Sequence, residues 1–213
     1  MNNQIRNLVL LALVLQVGCS QVYIDKPIGK AWTKKQQSQL LGRWTIEDDE
    51  SAVYEVQRNK AGDLSFAIMN WDADKQKFEL HQGLMTVTHL GENDFAFIDV
   101  REATKAAQEP GEKDDATADN LLPCKIETKD DGHVEFIFFK TKSMAKAVLE
   151  SKLPGKVINQ DADETEPDER SRVFLSAADE QVTDFFKSPD VVKYLDQKAT
   201  IKLKRLSNVR ASR

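Results

Sequence analysis

From Leu40 onward, apolar residues recur at alternate positions for about a hundred residues, which is the spacing of strands with one buried face. The sets are Tyr54 and Val56; Leu64, Phe66 and Ile68; Phe78 and Leu80; Phe95 and Phe97; Cys124 and Ile126; and Val134, Phe136 and Phe138. Turn-forming clusters separate them at Lys60-Ala61-Gly62-Asp63, Asp72-Ala73-Asp74, Gly91-Glu92-Asn93-Asp94 and Asp130-Asp131-Gly132. Gly132 can take the positive φ that a short hairpin loop requires. Short strands joined in this way predict an antiparallel meander, which buries its apolar face by closing into a barrel or a strongly curved sheet. The fold class is therefore mainly β with minor α, with one or two late helices packed on the sheet.

The helical signals come late. Ser143 is placed to cap a helix over Met144 to Lys152, stopped by Pro154-Gly155. Ser176 is placed to cap a second, with Asp179 at capping-box spacing and Val182, Phe185 and Phe186 on one face. Ser188-Pro189 restarts a short helix to Asp196, in which Val191, Val192 and Leu195 are expected to face inward, and Ile201 to Leu206 reads as the last strand. Residues 103–120 and 159–170 are rich in Asp, Glu, Ala, Thr and Pro without apolar periodicity, and are expected to be disordered loops. Residues 19–38 are polar with isolated apolar residues and read as a tether, leaving one β-rich domain over 39–207 and a tail over 208–213.

The N-terminus changes the picture from fold to address. Arg6 precedes an apolar run from Leu8 to Leu15 that ends on Val17-Gly18-Cys19-Ser20. A run of about eight residues is too short for a membrane span, which needs roughly twenty, and reads as an export signal over residues 1–18. Gly18-Cys19 resembles the lipobox of bacterial lipoproteins, although Gln16 stands where that motif usually has Leu. The resemblance implies cleavage before Cys19 and acylation of its thiol. The alternative is an ordinary cleaved signal that leaves a free thiol. Lipidation is favoured because Cys19 falls where the apolar run ends, and Ser20, which is not Asp, favours the outer membrane or cell surface over the inner membrane.

Removing residues 1–18 from 213 leaves 195, with 29 Lys and Arg against 35 Asp and Glu, a net charge of −6. That balance suits a soluble body and argues against a nucleic-acid partner. The chain has only Cys19 and Cys124, so acylation of the first excludes an intramolecular disulfide, and Cys124 reads as a buried strand residue.

No catalytic pattern is present. Asp161 to Glu166 begins like a calcium loop, but Glu166 occupies the place of its glycine and Arg172 that of its bidentate glutamate. His81, His89 and His133 lack the spacing of a metal site and are expected to be surface or half-buried. Neither a nucleophile elbow nor a phosphate-binding glycine loop occurs. No enzyme activity, metal or organic cofactor is expected.

Gly42-Arg43-Trp44 on the first strand, with Arg205 on the last, resembles lipocalins. In that family a Gly-x-Trp opens the barrel and a late basic residue covers the tryptophan. Gly42, Trp44 and Arg205 are therefore assigned to barrel closure. The acylated cysteine, Leu-x-Gly-x-Trp, Leu90-Gly91, Leu122-Pro123 and the Ser-Ala-Ala-Asp-Glu segment together resemble uncharacterised bacterial envelope lipoproteins. The expected role is a non-enzymatic module, held at the envelope by a lipid on Cys19, that contacts an envelope protein or cell-wall partner. The alternative is a lipocalin-like carrier of a small apolar ligand, with Phe66, Ile68, Phe97 and Phe138 lining its cavity.

Overall fold

The computed structural model of the chain describes residues 21–47, 49–72, 76–99, 120–129, 131–158, 166–168 and 171–206. Its elements are β1 (Val22–Ile24), β2 (Lys30–Ala31), α1 (Lys34–Gln37), β3 (Gly42–Ile46), β4 (Asp49–Arg58), β5 (Leu64–Asp72), β6 (Lys77–Leu90), β7 (Asn93–Asp99), β8 (Leu121–Thr128) and β9 (His133–Phe139). There follow α2 (Thr141–Leu149), β10 (Lys156–Ile158), β11 (Arg172–Leu175), α3 (Glu180–Lys187), a 3-10 helix (Pro189–Tyr194) and β12 (Leu195–Arg205).

Eight antiparallel strands close into a barrel in the order β3-β4-β5-β6-β7-β8-β9-β12 and back to β3. The closing strand β12 sets Leu203 beside both Ile46 of β3 and Val134 of β9. Tight hairpins set β3 to β7 side by side and pair β8 with β9, but closure itself rests on β12, which returns after the helices to pair with both β3 and β9. Gly62, Gly91 and Gly132 supply positive φ at three of those turns.

Two cores result. The first lies inside the barrel and contains Trp44, Tyr54, Val56, Leu64, Met85, Val87, Ala96, Cys124, Ile126, Phe136 and Leu203. The second lies outside it, where Phe95 and Phe97 of β7 and Ile137 and Phe139 of β9 meet Met144, Val182 and Phe186 from the helices and Val22, Ile24, Val173 and Leu175 from the added strands. β7 and β9 are buried on both faces, so their sequences read as nearly continuous apolar runs.

Several expectations are corrected. The tether over 19–38 is, from Gln21 on, part of the body: Val22 and Ile24 are fully buried in β1, which pairs with β11 and β8, and Trp32 and Leu40 join the barrel core. A short polar stretch with a few apolar residues can still be a strand when neighbours on both sides supply its hydrogen bonds. The α2 helix starts before Ser143, at Thr141, and α3 is capped by the Asp179 side chain, which accepts from Gln181 N, while Ser176 Oγ donates to Asp25. Val192 is exposed, since the 3-10 helix turns it outward. Phe97 faces the helices, not the barrel interior. The expected disordered loops over 103–120 and 159–170 fall almost wholly outside the described residues, as do the signal segment, Cys19 and the tail.

Candidate functional site

The barrel has a closely packed floor and an opposite end, the mouth, where residues 73–75 and 100–119 lie outside the described residues. At the floor lie the turns β4–β5, β6–β7 and β8–β9, the start of β3 and the end of β12. Here α1 folds across the opening, tied down by Arg58, whose side chain donates to Gln37 Oε1 at 3.1 Å and to the Lys34 carbonyl at 3.0 Å. The Trp32 indole donates to Asp94 Oδ1 at 2.8 Å, and Asp94 also meets His89 Nδ1 at 2.9 Å.

Gly42, Trp44 and Arg205 come together at this floor. Trp44 is 2% exposed, and its indole nitrogen donates to the Leu40 carbonyl at 2.8 Å. The Arg205 guanidinium carbon sits 4.2 Å from the Trp44 ring centroid, and its nitrogens donate to the carbonyls of Leu41 and Gln39. Gly42 has φ of 121°, and a Cβ there would stand 3.0 Å from Arg205 Nη1, so only glycine both adopts the backbone and leaves room for the guanidinium.

Burial changes along the interior. Near the floor the inward side chains are fully packed. Towards the mouth, Ile46, Phe66, Ile68, Ile98, Ala199 and Ile201 face the same interior but are only partly buried. The opposite wall stays closed by Leu122 and Phe138. The accessible side is thus the wall built by β12, β3, β5, β6 and β7. Gly83 of β6 is paired with Phe66, and a Cβ on it would meet the Phe66 ring at 2.5 Å. The missing side chain is what lets that ring lie across the strand.

Beyond Gly83 the β6 side of the β5–β6 hairpin runs past β7 among the described residues, while β4 still flanks β5 as far as Asn70. Among the described residues β7 pairs only with Leu84 to Leu90, while β5 pairs with β6 out to Lys77. On the inward face of this extension sit Asn70, opposite Glu79, and Ile68, opposite His81. The outward face carries Met69 opposite Leu80 and Trp71 opposite Phe78, the last two rings 4.9 Å apart. Phe78 and Leu80, expected on the buried face, are 64% and 59% exposed. The reason is register: residues of β6 with odd numbers from 79 to 87 point inward, so even-numbered ones point out.

Of the three histidines, His89 is exposed and His133 pairs with Asp131 at 2.8 Å. His81 is the one on the inward face of the β5–β6 hairpin. Its side chain is 14% exposed, and Nε2 lies 3.9 Å from Glu79 Oε2, beyond hydrogen-bond reach. Neither ring nitrogen of His81 nor Asn70 Oδ1 has a hydrogen-bond partner among the described residues. Asn70 and Glu79 carried no expectation from the sequence, although a polar set at i, i+2 and i+4 from Lys77 to His81 is visible there, and His81, expected at the surface or half-buried, is half-buried.

Cys124 is fully buried inside the barrel, with Sγ 3.7 Å from the Ala96 carbonyl, and burial pushes its thiol far above the usual range. Outside the barrel, a depression of about 400 Å³ lies over β4, β5 and β6, edged by Glu55, Gln57, Ser65, Gln82 and Leu84. Among the described residues no group of three metal-ligating side chains occurs, and no helix is long and apolar enough to cross a membrane. No protein-family model, curated protein or solved structure matches the chain.

Proposed function

We propose that the barrel is a binding chamber for a small apolar ligand and that the protein acts as a carrier or receptor for it, without chemistry on the ligand. The observation that carries this reading is the gradient inside the barrel, from a sealed floor at Trp44 to inward isoleucines that are only partly buried near the mouth. Inward apolar side chains that stay partly accessible are a surface that such a ligand can cover. This reading ranks above the presented interaction module, which has no comparable feature in its favour beyond the exposed hairpin face. The eight-stranded order and the Gly42, Trp44 and Arg205 cluster agree with the lipocalin resemblance and support the same reading.

The test is titration with the apolar dye N-phenylnaphthylamine, comparing wild type with Ile68→Trp. Saturable binding by wild type is expected, weakened about tenfold or more when the larger ring occupies the chamber, a loss of about 1.4 kcal/mol. Absence of saturable uptake by wild type would sink the chamber.

We further propose that the body works at a bacterial envelope membrane, outer membrane or cell surface, through acylated Cys19. The support is the order of Arg6, apolar run and Gly18-Cys19.

A further inference from the structure

We propose that the ligand is an amphiphile with an uncharged hydroxyl head, its chain lying in the chamber and its hydroxyl held between Asn70 and His81 at the mouth. This inference rests on the chamber reading and names the ligand class that the chamber selects.

The argument starts from hydrogen bonds left unmade. Asn70 Oδ1 and both ring nitrogens of His81 are buried without a partner among the described residues. Buried polar atoms nearly always have one, because burying them bare forfeits their hydration with nothing in return. The two side chains belong to diagonal positions of the β5–β6 ladder, Asn70 being opposite Glu79 and His81 opposite Ile68, and all four face inward. Diagonal Cβ atoms on an antiparallel pair lie roughly 7 Å apart, a gap that one oxygen atom can bridge from both sides. Ile68 stands opposite His81 and Phe66 follows one step towards the floor, so a head group at this height has its tail in the apolar interior.

The chemistry of the orphaned atoms then selects the head. Neutral imidazole offers one N–H donor and one acceptor, and Asn70 Oδ1 offers an acceptor. A carboxylate only accepts, so it would leave Asn70 Oδ1 bare and would face the Glu79 carboxylate beside His81. An ammonium only donates, so it would leave the imidazole N–H bare. A hydroxyl donates to Asn70 Oδ1 and accepts from the His81 N–H.

The test is displacement of N-phenylnaphthylamine by dodecanol, dodecanoate and dodecylammonium, on wild type, Asn70→Leu and His81→Phe. Wild type is expected to take dodecanol about tenfold or more tighter than either charged homologue. In both variants that preference should fall to about twofold or less while the dye still binds, and the ligand-free variants should melt no lower than wild type because each loses a bare polar group. Tighter binding of either charged homologue by wild type would overturn the hydroxyl head. So would an unchanged preference in both variants. If the dye itself fails to bind wild type, the chamber has failed, and not merely its choice of head group.

Discussion

The Trp44 indole has its nitrogen tied to Leu40 and one face under Arg205, so it joins the strand that opens the barrel to the strand that closes it. Trp44→Ala is expected to cost about 3 to 5 kcal/mol, the loss for a large core aromatic. Arg205→Ala should cost less, about 1 to 2 kcal/mol, because the guanidinium is exposed and its contribution is one cation–π contact plus hydrogen bonds to two carbonyls that water can then reach. Urea unfolding of the two variants measures both, and equal losses would contradict this division. Cys124 makes a separate prediction. Burial raises its thiol and removes it from solvent, so in a Cys19→Ala chain a thiol reagent should react only on unfolding. Fast labelling of the folded protein at neutral pH would show that the interior is open at that strand. Trp44, Arg205 and Cys124 were each legible as residues with an expected environment. Asn70 was not, and His81 only as a surface or half-buried residue, because whether a lone polar residue faces outward or inward depends on strand register.

The β5–β6 hairpin shows how register decides the worth of a residue. Alternation alone marked Phe78 and Leu80 as core, yet pairing places Glu79 and His81 inside and turns both apolar side chains out. Phe78→Ser and Leu80→Ser are therefore expected to change stability by no more than about 0.5 kcal/mol each, the range for surface sites, where a core placement would cost several times that. Urea midpoints distinguish the two. The hairpins at Gly62, Gly91 and Gly132 were readable because positive φ leaves a composition signal. The strands β10 and β11 were not foreseen. Each is three or four residues long, and β11 is held by a parallel pairing with β1, a partner about 150 residues away in sequence that no local pattern announces.

Over the whole molecule, the finding with most consequence is that the body begins at β1. Only two residues separate Cys19 from Val22, so an acyl anchor on Cys19 would hold the buried β1 strand within about 11 Å of chain from the membrane, with no long tether between. Wild type is expected in the membrane fraction and the detergent phase, and Cys19→Ala in the aqueous phase; identical partitioning of the two would reject the anchor. Two or more acyl chains are needed for firm attachment, at about 0.8 kcal/mol per buried methylene. The sequence by itself determined a mainly β meander, its tight turns and the late helices, because alternation, capping residues and glycine at positive φ are local signals, whereas the contact of Arg205 with Trp44 was expected only from a family resemblance. Tertiary structure alone decided that the sheet closes on itself, that β7 and β9 are buried on both faces, that residues 21–38 belong to the fold, and that Asn70 and His81 lie on the inward face of β5 and β6. Those outcomes depend on which distant strands pair and in what register, and a shift of one residue in pairing exchanges every inward side chain for an outward one.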